Sequence, residues 1–167
     1  MPVTKQTIAI FGCSSTTGRL LARGLCDKNY RLLLFDEDRE RADALASEIR
    51  SQAQHADVES LSCEHLASWE AEIIIIAGIS ESMDEFAEKT KVVSAQKIIS
   101  VITDSENSDL PRQAAASFPH SEVVGVFQDK ENSGQFEFKS DNSETLNTIR
   151  RLFISARLQV PETHPVN

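Results

Sequence analysis

The chain has 167 residues, 40% of them hydrophobic, with 26 acidic against 17 basic side chains and a formal net charge of −9. That length suits one domain with a real core, and an acidic excess without any basic run excludes an electrostatic footprint for nucleic acid. Cys13, Cys26 and Cys63 make no disulfide framework, and the longest apolar run, Ile73 to Ala77, is too short to span a bilayer. With no charged-then-apolar leader in sight, a cytoplasmic protein without membrane contact is expected.

Thr7 to Phe11 reads as a buried parallel strand, and Thr16 to Asp27 as a helix with Leu20, Leu21 and Leu25 on its inner side. Between them lies Gly12-Cys13-Ser14-Ser15-Thr16-Thr17-Gly18, two glycines enclosing small hydroxyl residues. A strand running through a tight loop into a helix gathers free N–H groups and a positive dipole end at one spot, which suits a phosphate. The spacing is that of a dinucleotide-binding turn with Ser15 in the middle place. If that place requires a positive φ, the Ser15 Cβ costs roughly 1–2 kcal/mol. Ser14, Ser15, Thr16 and Thr17 offer hydroxyls to phosphate oxygens; the alternative is that they only cap the helix.

Tyr30 to Phe35 is the second strand, ended by Asp36, where an acidic residue accepts hydrogen bonds from an adenosine ribose. Glu37 and Asp38 follow, so a ribose 2′-phosphate would meet three carboxylates against Arg39 and Arg41, which favours NAD over NADP. The same acids suit the first turn of a helix over about Asp38 to Ser51, whose Ala42, Leu45, Ala46 and Ile49 form an inward stripe. A short strand near Asp57 to Glu59 and a short helix near Cys63 to Trp69 come next; Cys63-x-His65 lacks the second ligand pair of a zinc site.

Glu72 to Ala77 is the most strand-like run, and the loop after it, Gly78-Ile79-Ser80, is expected beside Gly12 to Thr17, since ligands of open α/β sheets sit beyond the carboxyl ends of the strands. Lys97 to Ile102 is a fifth strand, with Thr103, Asp104 and Ser105 as the nearest polar candidates beyond it, and a helix follows over Leu110 to Ser117. Glu122 to Phe127 and Gln135 to Lys139 are two more strands, the short connection making the last an antiparallel edge. Asp141-Asn142-Ser143 starts a helix over Glu144 to Ala156 with Leu146, Ile149, Leu152 and Phe153 inward, and Leu158 to Val160 reads as a last short strand before a frayed tail at 161–167. The expected fold is a doubly wound, mostly parallel α/β sheet in one domain over 1–167, with extra edge strands on the C-terminal side.

The segments IAIFGCSSTTGRLLARGL, LLLFDEDRERADAL, AEIIIIAGISESMDEF, KIISVITD and SEVVGVFQD together resemble, in order, the cofactor domain of the NADP oxidoreductases dependent on the deazaflavin coenzyme F420. The first loop also resembles that of atypical short-chain dehydrogenase/reductase-like sensors. The first resemblance implies a Rossmann fold, a pyrophosphate over Cys13 to Thr17, and a nicotinamide near Gly78 to Ser80 and the loop after Val101. Against the family pattern, Ser15 replaces a glycine and Asp36 to Asp38 replace Ser/Thr and Arg, which weighs against NADP and deazaflavin use.

Three functions follow as expectations: an NAD(P)-dependent oxidoreductase, a non-catalytic dinucleotide-binding module acting through a protein partner, or a degenerate scaffold that pairs with a partner or a second copy. No histidine among His55, His65, His120 and His164 falls in an expected site loop. Cys13, near a helix N-terminus, raises one more expectation: a reactive thiol that senses oxidants. The alternative is a small residue filling a turn.

Overall fold

The computed structural model describes residues 5–104, 108–129 and 135–160. Ser105, residues 130–134 and residues 161–167, His164 among them, therefore lie outside the described residues. Strands and helices alternate as β1 (Gln6–Phe11), α1 (Thr16–Leu25), β2 (Tyr30–Phe35), α2 (Arg39–Gln52), β3 (Asp57–Ser60), α3 (Glu64–Glu70), β4 (Ile73–Ile76), α4 (Met83–Thr90), β5 (Ile98–Thr103), α5 (Leu110–Ser117), β6 (Glu122–Asp129), β7 (Gln135–Lys139) and α6 (Ser143–Ser155). They build a seven-stranded sheet in the order β3-β2-β1-β4-β5-β6-β7. All neighbours pair in parallel except β6 and β7, which are antiparallel as expected.

Period-two alternation sorts the strands' side chains onto two faces. Ile8 and Ile10 of β1, with Ile73 and Ile75 of β4, pack under Leu21 and Leu25 of α1, Leu45 and Ile49 of α2, and Ile149 and Phe153 of α6. Ala9 and Phe11, with Ile74 and Ile76, face Ala67 of α3, Phe86 of α4 and Phe118 beyond α5. Both faces of β1 and β4 are thus covered, which is why these runs read as continuous hydrophobic stretches. Phe11 ends β1 in contact with Phe86 edge-on at 4.9 Å and Phe35 at 5.4 Å, pairs worth about 0.5–1.5 kcal/mol each beyond their burial. They fasten the carboxyl ends of the central strands.

Some expectations fail on geometry. Leu20 is 43% exposed although both Leu21 and Leu25 are buried; consecutive helical residues lie about 100° apart, so Leu20 cannot share Leu21's face. In α6, Leu146 is only half-buried, and Thr145 takes the inward place. Leu158 to Val160 is irregular chain. It gives the sheet one bond, the Phe136 N–H donating to the Gln159 carbonyl at 3.1 Å, which is not a ladder. Among the described residues no helix is long and apolar enough to cross a membrane.

Candidate functional site

The order of the sheet reverses between β1 and β4: the chain leaves β1 toward β2 and β3, then returns to β4 on the other side. Such a switch point opens a crevice above the strand ends. Register makes it level, because Phe11 pairs with both Phe35 and Ile76.

Gly12 turns the chain out of β1 at φ +72°, and any Cβ there would collide with the Gly78 backbone. The N–H groups of Gly12 and Cys13 both donate to the Phe35 carbonyl, at 3.0 and 3.2 Å, tying the loop to the end of β2. A Cβ on Gly18 would lie 2.6 Å from the Gly12 carbonyl oxygen, so glycine lets α1 press against the loop. These two positions perform the outer roles of the turn.

Ser15 differs from its expectation. It sits at φ −63°, ψ 160°, extended backbone open to any residue, so the expected Cβ cost does not arise. Its Oγ accepts from the Gly18 N–H at 3.1 Å and caps α1. The N–H groups of Thr16 and Thr17, first in the helix, have no acceptor among the described residues. The turn keeps free donors despite lacking its middle glycine.

Cys13 is fully buried beneath the loop. Burial, and then the Asp36 carboxylate, push its thiol up to about 12. That corrects the expectation of a reactive thiol, because the helix dipole is outweighed by the loss of water around the sulfur. Cys13 fills the turn.

Asp36 is half-buried at the end of β2 and held by three donors. Its Oδ2 accepts from the Ser14 N–H at 3.0 Å and the Ser14 hydroxyl at 2.6 Å, and its Oδ1 from the Asp38 N–H at 3.0 Å. Asp38 in turn caps α2 through the Glu40 N–H at 3.2 Å and lies 3.3 Å from the Arg41 guanidinium. The acidic run divides: Asp38 caps α2, and the Asp36 carboxylate lines the crevice beside Ser14.

Two cavities flank the Gly12–Gly78 contact. One, of about 390 Å³, lies over the ends of β1 and β2 and is lined by Gly12, Ser14, Asp36, Ile79, Ser80 and others. The second, of about 580 Å³, extends over β4 and β5 and takes in Thr16, Thr17, Thr103 and Asp104. Ser15, Gly78, Ile79 and Glu81 belong to both. The crevice therefore gathers Gly12, Ser14, Ser15, Thr16, Thr17, Asp36, Gly78, Ile79 and Ser80, while Cys13 lies underneath.

Sequence reasoning missed Glu64, Glu81 and Lys89 in the first cavity and Gln113 and Gln128 in the second. The Lys89 ammonium, on α4, lies 2.6 Å from Glu81 and 3.4 Å from Glu64 on α3, and the Glu81 hydrogen bond raises its pKa. Glu81 stands directly after Gly78-Ile79-Ser80, which was a usable signal. Nothing in the chain's order links Lys89 to Glu64. Among the described residues no group of three or more histidines, cysteines or acids could hold a metal ion.

No protein-family model and no curated protein sequence matches the chain. Its fold is shared with solved dehydrogenase-type structures. A reductive aminase from Aspergillus terreus in complex with NADPH and ethyl-5-oxohexanoate is 11% identical, with a TM-score of 0.71 over 95% of this chain and 55% of that one. An imine reductase from Bacillus cereus is 12% identical, with a TM-score of 0.70 over 93% of this chain and 54% of that one. A UDP-glucose dehydrogenase from Pyrobaculum islandicum is 9% identical, with a TM-score of 0.65 over 97% of this chain and 47% of that one. The chain spans about half the length of these structures.

Proposed function

We propose that the crevice binds a nicotinamide dinucleotide, NAD in preference to NADP, and that the chain is the cofactor-binding part of an oxidoreductase. The observation that carries this is the pair of cavities meeting at the Gly12–Gly78 contact, with the free N–H groups of Thr16 and Thr17 beside the junction. Two nucleotide halves joined by a pyrophosphate need that arrangement. The reductase and dehydrogenase names of the structures sharing the fold support the same reading.

In this reading the Thr16 and Thr17 N–H groups and the Ser14 to Thr17 hydroxyls hold the pyrophosphate, and Gly12 lets the backbone come close. The ribose diol lies against Asp36, whose charge disfavours a 2′-phosphate, and the adenine lies toward Ile79 and Phe86. The second cavity takes the nicotinamide and the acceptor against Ile79, Met83, Val101 and Leu110. When bound, the cofactor supplies the hydride. The protein's part is to align donor and acceptor and keep water out. The resemblance to the deazaflavin-dependent oxidoreductases adds the same placement of the two nucleotide ends; its deazaflavin partner is not carried over, because Ser15 and Asp36 to Asp38 depart from that family's pattern.

A second reading, a dinucleotide-binding module without catalysis, is favoured by the second cavity, whose described wall carries no histidine, lysine or cysteine and only the Glu81 and Asp104 carboxylates as ionisable groups. Calorimetric titration with NAD, NADH, NADP and NADPH tests the shared claim: micromolar binding of one pair is expected, and no binding of any of the four refutes both readings. Oxidation of the bound reduced cofactor across a panel of ketones, aldehydes and imines then separates them. Tight binding with no turnover leaves the module.

A further inference from the structure

Among the described residues, the wall of the first cavity carries the carboxylates of Asp36, Glu37, Glu64 and Glu81 against two cations, Arg41 and Lys89. Of these carboxylates only Glu81 also lines the second cavity, together with Ser15, Gly78 and Ile79. Glu81 therefore stands at the junction, where the reading above places the pyrophosphate. An acid at that point works against an anionic ligand, since like charges at short range repel most where water is partly excluded.

The fold answers that charge from α4. Lys89 brings its ammonium to 2.6 Å from the Glu81 carboxylate and to 3.4 Å from Glu64, the first residue of α3. The Glu81 hydrogen bond raises the pKa of the ammonium, which keeps it charged. The Glu81 side chain is only 19% exposed, so solvent does little of the cancelling. As a tie between a loop and a helix such a pair contributes little to stability. Its position at the junction gives it a second consequence. An ammonium held between two carboxylates is committed to them, and what it controls is the charge and direction of Glu81.

We propose that Lys89 is a positioning residue of the crevice, whose ammonium cancels the Glu81 carboxylate and holds it toward α4 so that the junction of the two cavities admits a diphosphate. This rests on the nicotinamide-dinucleotide reading above. With Lys89 in place, the diphosphate meets the Thr16 and Thr17 N–H groups with no unanswered acid facing them. Without Lys89, the Glu81 carboxylate stands uncancelled beside the same site. Removing both charges together restores the balance, which a lysine acting as a direct phosphate ligand would not allow.

The test is calorimetric titration of the full chain with NADH and with ADP, in the native protein and in Lys89→Met, Lys89→Arg, Glu81→Gln and the double variant Glu81→Gln with Lys89→Met. Thermal melting of each variant checks folding. Lys89→Met is expected to lose about tenfold in affinity for both probes. Lys89→Arg and the double variant are expected to stay within about threefold of the native chain, and Glu81→Gln to bind at least as well as it. Repeating the titrations at about 0.1 M and about 1 M sodium chloride, where the screening length falls from about 10 to about 3 Å, is expected to narrow the gap between Lys89→Met and the native chain.

The proposal is overturned if Lys89→Met binds both probes as the native chain does, if the double variant stays as weak as Lys89→Met, or if the loss is unchanged at high salt, the mark of a purely structural role. In each of those cases native NADH binding leaves the cofactor reading standing. A native chain that binds none of NAD, NADH, NADP and NADPH removes both.

Discussion

Gly12 and Gly78 touch on unequal terms. A Cβ on Gly12 would collide with the Gly78 backbone, whereas a Cβ on Gly78 would come no nearer than 3.9 Å to the Gly12 Cα. Gly12 also holds φ +72°. Gly12→Ala is therefore expected to cost about 3 kcal/mol, joining left-handed strain to a backbone clash. Gly78→Ala is expected to change stability by under about 0.5 kcal/mol and still to weaken cofactor binding, because Gly78 lines both cavities. Urea titrations of the two variants check the asymmetry; equal losses would mean the contact is not as tight as described.

Ser15 offers a test of the turn itself. Because its φ is −63° and its Oγ caps α1, Ser15→Gly relieves no strain. The expected loss is a few tenths of a kcal/mol, and for Ser15→Ala about 1 kcal/mol. Dinucleotide affinity should not improve in Ser15→Gly. A clear gain in melting temperature and affinity would show that the middle place wants a left-handed residue after all.

The buried thiol predicts selective chemistry. Treated with iodoacetamide or mild peroxide near neutral pH, the folded chain is expected to be modified at exposed Cys63 and not at Cys13. Peptide mass spectrometry reads the outcome. Modification of Cys13 ahead of Cys63 would restore the sensing idea.

The same group gives the alkaline limb a sign. The Cys13 thiol titrates at about 12 in the fold against an ordinary 9.0, so between those values the folded chain holds a proton that the unfolded chain has lost. Its contribution is complete below about pH 9 and declines as the pH rises toward 12. Lys89, also raised above its ordinary value, acts in the same direction at the upper end. Cys13→Ala should make stability fall less steeply over this range, whatever its melting temperature at neutral pH. An unchanged slope in pH-dependent urea unfolding would count against the burial argument.

The fold was legible because its signals are local. Ile73 to Ile76 announces a strand covered on both faces, and Ala42, Leu45, Ala46 and Ile49 mark one side of a helix. The crevice was legible in the residues that leave strand ends, such as Gly12, Asp36 and Gly78. Leu20 misled because its apolar side chain sits beside others that are truly inward, and hydrophobicity does not give direction about a helix axis. Ser15 misled for another reason: the need for glycine belongs to a backbone angle, which residue type alone does not report. Lys89 and Glu64 were invisible as lining of the crevice because their meeting place depends on how helices lie across the sheet.

The two margins of the sheet bear on how this chain can join another. At one end β3 is only four residues long, with Asp57 and Glu59 paired to Lys5 and Arg31. At the other, β7 alternates exposed Gln135, Glu137 and Lys139 with its inward residues, and the Gln159 carbonyl already takes the Phe136 N–H. Short, charged or occupied margins resist strand-by-strand growth into an extended sheet. A second copy or another protein must then approach over the loops at the strand ends or across the helices, and the first of these approaches is also the way into the crevice.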